Sequence, residues 1–226
     1  VTSGAYTPEE IVRLRQEEVM EQEEIVNKIV DTVTSPKETI VTESLAQETA
    51  SPILLHPLSD PSFGMTLKNG AMMSEGIFAA NGGIAEIAEN ASLDFGTDDF
   101  TISTSIQFQR AGEIEMILLK NAREPRSKGY GLRKMNDNTI QGILNDGNGN
   151  YLSLNSVGTI TDTTEFHDIS MVRKSGILEL WIDGRKQQTT IPEGAQGDYN
   201  VSSPAVLIIG ATDRGEYRLA AQIKEM

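Results

Sequence analysis

Glu113 and Glu115 stand two residues apart, a spacing that on a strand puts both carboxylates on one face. Paired acids about 5–9 Å apart are the machinery of glycoside hydrolysis. Met116-Ile117 follows without a third acid, so a solvated strand face is the plainer reading. His167 could serve as a general base if a partner were held beside it. Asp168, its neighbour in sequence, points to the opposite face of a strand, which favours a structural histidine bonded to a loop carbonyl. In Asp146-Gly147-Asn148-Gly149-Asn150, oxygen-bearing side chains alternate as at the start of a calcium loop. Asp146, Asn148 and Asn150 are therefore the candidate metal ligands, and calcium is the one candidate cofactor. The sixth position is Tyr151 and the twelfth Val157, where such a loop needs Gly and Glu. A hairpin turn explains the same residues, because Asp-Gly and Asn-Gly supply positive φ angles. Trp181 and Tyr130 could stack on a sugar ring, or simply pack. Arg123 and Arg126, with Arg110 and Lys128 nearby, form a basic spot that could meet an acidic partner or an anionic glycan, or be only a solvated loop.

The whole chain narrows these options. Its 226 residues allow one large or two small domains. Nineteen Lys and Arg against 33 Asp and Glu leave a net charge of −14, which argues against a nucleic-acid surface, since phosphate contacts need clustered bases. There is no cysteine, which excludes disulfides and thiolate metal sites, and two histidines leave little for a zinc centre. No apolar run approaches the ~18 residues of a membrane-spanning helix, so no membrane insertion is expected. The first residue is Val1, and the expectation is a processed chain or a piece of a longer polypeptide.

Charge and pattern change near residue 50. Residues 1–50 carry eleven acids and four bases, half of the net charge. Thr7-Pro8-Glu9-Glu10 is a helix start: Thr7 caps, Pro8 suits the first helical position and Glu10 completes a capping box. Ser35-Pro36 stops it. Between them Val12, Val19, Val26 and Val33 recur every seven residues. The expectation for residues 1–35 is an amphipathic docking or oligomerisation helix, through which the chain would form a homo-oligomer, or a helix lying on its own domain or on a neighbouring chain. Residues 36–69, rich in Thr, Ser, Pro and Glu, read as an extended linker running along a surface.

From about residue 70 the period becomes two. Phe100, Ile102, Thr104, Ile106 and Phe108 share one face, and polar residues fill the other. Strand-like runs follow at Ile114–Lys120, Tyr130–Lys134, Thr139–Leu144, Tyr151–Leu154, His167–Arg173, Ile177–Ile182, Lys186–Ile191, Ala205–Ile209 and Tyr217–Lys224. Asp183-Gly184 joins two of them as a type I′ hairpin. Many short strands with regular turns mean an antiparallel sandwich or barrel.

These runs carry a resemblance. Ala91–Ser103, Met116–Lys120, Gly129–Leu132, Ile143–Gly147, Phe166–Ser170, Leu178–Gly184 and Leu207–Gly210 resemble, in order and spacing, the laminin-G-like/pentraxin group of concanavalin A-like jelly rolls. The similarity covers residues 70–226. It departs from the group's pattern where a Trp-His pair is Phe166-His167, where a tyrosine is Trp181, and in the final strand, which stops early. The resemblance implies a mainly β, antiparallel jelly-roll sandwich, here behind an N-terminal α-helical arm. Relatives that bind calcium draw their ligands from scattered loops. The functional expectation is a non-enzymatic structural or recognition module of a large assembly, with protein partners. A phage virion protein (head fibre, decoration or tail-fibre component) comes first, exposed on the virion surface. The alternatives are a calcium-dependent domain binding cell-surface glycan on a bacterial surface protein, and a glycoside hydrolase or lyase on the same fold.

Overall fold

A computed structural model describes residues 64–121, 127–191 and 195–226. Val12, Val19, Val26, Val33, Arg123 and Arg126 lie outside the described residues. Those described belong to one unit, Pro52–Met226.

The alternating run at 100–108 becomes β5 (Phe100–Phe108), with Phe100, Thr104, Ile106 and Phe108 buried and Thr101 and Ser103 exposed. Before it come four short strands, β1 (Thr66–Lys68), β2 (Met72–Ser74), β3 (Ile77–Ala79) and β4 (Ile84–Ile87). After it come β6 (Glu115–Lys120), β7 (Gly129–Lys134), β8 (Thr139–Asn145), β9 (Tyr151–Thr159), β10 (His167–Lys174) and β11 (Ile177–Ile182). The series ends with β12 (Arg185–Lys186), β13 (Ala195–Gln196), β14 (Leu207–Ile209) and β15 (Ala221–Glu225). They form two antiparallel sheets of a jelly-roll sandwich. Sheet A runs β1-β4-β14-β6-β7-β8-β9, and sheet B runs β12-β11-β10-β5-β15-β3-β2, with β13 beside β11. The core lies between them: Phe78, Ile106, Phe108, Ile169, Met171 and Leu180 from sheet B meet Ile87, Leu118, Leu132 and Leu154 from sheet A.

Three expected runs are trimmed. Lys186–Ile191 is not one strand. After β12 the chain turns toward the other sheet, where the Gln188 carbonyl accepts from Val157 N–H at 2.7 Å and Thr190 N–H donates to the Asn155 carbonyl at 3.0 Å. Val157 and Asn155 belong to β9, so this segment ties an edge of sheet B to the edge of sheet A. The run at Tyr217–Lys224 becomes a regular strand only from Ala221; ahead of it Tyr217 takes a left-handed φ of 52°, and Leu219 and Ala220 make single backbone bonds to Gly210, Gly82 and Gln109. Ala205–Ile209 starts at Leu207. At the front, β1 lies ahead of residue 70, inside the span read as linker.

Tight backbone approach at Gly83 positions the first strands. A β-carbon there would sit 2.3 Å from Ala71 N and 2.6 Å from the Lys68 carbonyl oxygen, both main chain. Neither can rotate away, so Gly83→Ala should lower unfolding free energy by more than about 2 kcal/mol, read by urea denaturation.

Charge is also used structurally. Glu115 and Lys134 are both fully buried and 2.8 Å apart, a close ion pair on the inward side of β6 and β7. Glu115 Oε1 also accepts from Arg110 Nη2 at 3.0 Å and from Ala220 N–H at 2.8 Å. Lys134 Nζ donates to the Arg110 carbonyl at 2.6 Å. One carboxylate thus joins the β5–β6 turn, β7 and the approach to β15.

Candidate functional site

The acids flagged for hydrolysis do not form a catalytic pair. Glu113 is exposed and bound to Arg110, while Glu115 is sealed in the ion pair just described. Tyr130 is a core residue, 1% exposed, tilted against Phe95 and Phe100, with its hydroxyl donating to the Leu93 carbonyl at 3.0 Å. Burial, with the Asp94 charge beside it, pushes its phenol pKa up. Its ring is closed to a sugar. Arg110 is committed to Glu113 and Glu115 rather than to a free basic patch.

Asp146, Asn148 and Asn150 do share one loop, between β8 and β9. Asp146 Oδ1 accepts from Asn148 N–H at 2.8 Å and Asn150 N–H at 3.1 Å, and Oδ2 accepts from Asn150 Nδ2 at 2.6 Å. The turn's own donors therefore hold both oxygens, which keeps the Asp146 carboxyl below its usual pKa. Among the described residues no three His, Cys, Asp or Glu side chains are grouped as a metal site would need. A carboxyl whose folded pKa is depressed contributes stability above its ordinary value of 3.8 and loses it as pH falls below that value. Asp146→Asn should accordingly flatten the fall in melting temperature as the pH drops from about 4 downward.

The β11–β12 hairpin gathers the remaining functional groups. Asp183 and Gly184 have φ of 51° and 71°, the type I′ turn that their sequence predicts. Strand alternation then sorts the side chains. Trp181 lies opposite Ser170 and Lys186 on the outer side of sheet B, and Ile182 lies opposite Arg185 on the other side. Trp181 is half-buried. Its indole N–H donates to Glu179 Oε2 at 3.2 Å, and Lys186 pairs with the same carboxylate. The Lys186 contact first, and then the indole, hold Glu179 below the usual carboxylate range. Ser103 and Ser170 hydroxyls meet at 2.8 Å on the same face. This ring is oriented and accessible.

On the other side of the hairpin is a cavity of about 420 Å³ lined by Gly158, Thr159, Ile182, Asp183, Arg185 and Gln187. It sits where the crossover segment ties β12 to β9. Asp183 is exposed, yet oriented by two bonds: His167 Nδ1 lies 2.9 Å from Oδ2, and Asp168 N–H donates to Oδ1 at 3.0 Å. His167 thus binds a turn carboxylate, not a loop carbonyl. Gln187 is fixed by its own bond to the Arg185 carbonyl at 3.0 Å. A β-carbon at Gly158 would lie 2.3 Å from Gln187 Oε1, so glycine lets that amide enter the wall. Asp183, Arg185 and Gln187 thus place three polar residue types, an acid, a base and an amide, around one opening. Asp183-Gly184 is legible in sequence only as a turn. Nothing in the spacing of Gly158, Arg185 and Gln187 links them, because a crossover between sheets brings them together.

The family profile described as the concanavalin A-like lectin/glucanases superfamily matches residues 80–226, and the chain belongs to that superfamily. No curated protein matches it in sequence. Among solved structures, domain 4 of the extracellular arabinanase AbnA from Geobacillus stearothermophilus, determined with arabinotriose, superposes with a TM-score of 0.53 at 10% identity, over 71% of this chain and 79% of that one. Botulinum neurotoxin type C, whose cell entry depends on two ganglioside molecules, gives 0.51 at 12%, over 71% and 41%. A sialidase from Trypanosoma rangeli gives 0.50 at 9%, over 71% and 27%. The chain spans about two fifths of the neurotoxin chains, 42% for the serotype D binding domain. At these identities the likeness is one of fold.

Proposed function

We propose that this member of the superfamily is a non-catalytic recognition module that binds carbohydrate in the cavity beside the β11–β12 hairpin. The observation that carries the reading is the lining: Asp183, Arg185 and Gln187, residue types able to supply an acceptor, a cationic donor and an amide, stand around a single opening. The arabinotriose on the arabinanase domain and the gangliosides of the neurotoxin accord with a fold that takes saccharides. Glu113 and Glu115, held by Arg110 and Lys134, favour binding over hydrolysis. Because the Asp146 oxygens are held by their own turn, binding is proposed to need no calcium and to survive a chelator.

The valine stripe and acid-rich character of residues 1–35 support a docking arm, with the sandwich displayed outward from a multi-chain assembly. A phage virion protein is the form of assembly we propose, acting at the virion surface; a cell-surface protein is the alternative. Screening the full chain against an immobilised glycan panel, with Arg185→Ala and Trp181→Ala beside it, tests the site. Loss in Arg185→Ala alone supports the cavity. Loss in Trp181→Ala alone moves recognition to the outer face of sheet B, and no glycan captured by the parent chain contradicts the reading.

A further inference from the structure

Three Asn-Gly pairs occur in the chain, Asn69-Gly70, Asn81-Gly82 and Asn148-Gly149. Such a pair can react with itself, because glycine puts no side chain in the way of its own backbone nitrogen. That nitrogen can close a five-membered ring on the Asn side-chain carbonyl carbon. Ring closure needs a free glycine N–H, an unheld side-chain amide and a backbone that brings the two together. The fold grants these unequally. Gly82 N–H donates to the Leu219 carbonyl at 3.0 Å, which ties up the nucleophile. Asn81 and Asn69 have φ of 47° and 56°. A left-handed residue has ψ near about +47°, which puts Cβ almost opposite the next nitrogen across the Cα–C bond. Both of those turns must open before a ring can close. Asp146-Gly147, the acid counterpart in the third turn, is held as well. Hydrogen bonds occupy both Asp146 oxygens, and Gly147 N–H donates to Asn145 Oδ1 at 2.9 Å.

Asn148-Gly149 escapes each of these restraints. Both residues are exposed in the turn between β8 and β9. Asn148 is not among the left-handed residues. Its N–H donates to Asp146 Oδ1 at 2.8 Å, but neither its side-chain amide nor Gly149 N–H has a partner among the described residues. Gly149 has a φ of 104° and open space where a β-carbon would stand. We propose that Asn148 is a self-modification site that converts to aspartate and isoaspartate. The Gly149 nitrogen loses its proton and bonds to Asn148 Cγ. The Cγ–Nδ2 bond breaks, and the side-chain nitrogen takes up a proton and leaves as ammonia. Water then opens the cyclic imide. Attack at Cγ gives aspartate, and attack at the main-chain carbonyl gives isoaspartate, with the chain rerouted through Cβ. Either product adds a negative charge next to Asp146. Isoaspartate also lengthens the main chain ahead of Asn150, whose N–H and Nδ2 hold Asp146 at 3.1 and 2.6 Å, so this route loosens the hairpin between β8 and β9.

Peptide mapping by mass spectrometry tests this on the full chain, sampled during incubation in warm, mildly alkaline buffer. The mass gain of amide-to-acid exchange, with isoaspartate among the products, should appear first in the peptide carrying Asn148. Asn69 and Asn81 should trail by about tenfold or more, a factor equal to about 1.4 kcal/mol of turn opening. In chain unfolded by guanidinium chloride the three pairs should convert at similar rates, since only the fold separates them. Asn69 or Asn81 keeping pace with Asn148 in the folded chain would overturn the assignment. So would an Asn148 that stays intact in the folded chain while the unfolded chain converts.

Discussion

Glu115→Gln is expected to cost the sandwich about 3–5 kcal/mol of unfolding free energy, and Lys134→Met a similar amount. The reason is not the strength of the ion pair itself. Each single change leaves the other group charged and sealed from water, and a buried unpaired charge is what destabilises. Glu115 additionally loses charge on its bonds from Arg110 and from Ala220 N–H, while Lys134 also leaves the Arg110 carbonyl. The double variant Glu115→Gln/Lys134→Met should therefore be more stable than the sum of the single losses predicts, because neither charge is then stranded. Urea unfolding of the four chains reads this directly. Additive losses would show that the two groups act independently, against the geometry of a 2.8 Å pair.

Arg185→Ala is expected to weaken saccharide binding by about 10- to 100-fold, the worth of a charge-assisted hydrogen bond of about 1.5–3 kcal/mol. The melting temperature should barely move, because Arg185 is exposed and lies on a two-residue edge strand. Asp183→Asn is the finer probe. Asn accepts the left-handed φ of 51° that the turn demands, so the hairpin survives while the carboxylate is neutralised. Its loss of binding should be smaller than that of Arg185→Ala if one oxygen suffices as acceptor, and the His167 contact should persist as a neutral hydrogen bond. Calorimetric titration with a saccharide captured in the panel separates the two effects. Equal affinities in all three chains would remove the cavity from recognition.

Much of the sandwich is legible in the sequence because strand burial is written at period two. The Phe100–Phe108 alternation and the Asp183-Gly184 turn specify β5 and the β11–β12 hairpin directly. The strands before residue 90 are not legible in the same way. β1, β2 and β3 have three residues each, too few for alternation to show, and the turn joining β2 to β3 is Glu75-Gly76, where Glu at a positive φ of 51° is an unusual first residue. Sheet A misleads for a different reason. β6 and β8 are buried on both faces, so Met116–Leu119 reads as an unbroken apolar run and conceals which side meets the core. The candidate site is less legible still. Tyr130 and Trp181 look alike as aromatics, and only the packing of Phe95 and Phe100 makes one of them core. Arg185, Gln187 and Gly158 come together because the chain leaves β12 for β9, a crossing no local pattern announces.

The most direct measurement is amide chemical-shift mapping of the full chain, titrated with a glycan from the panel in the presence of a chelator. Recognition at the hairpin end predicts saturable shifts at Gly158, Thr159, Asp183, Arg185 and Gln187, with none along β6 and β8. Shifts confined to the outer side of sheet B around Trp181, or binding that vanishes with the chelator, would contradict it.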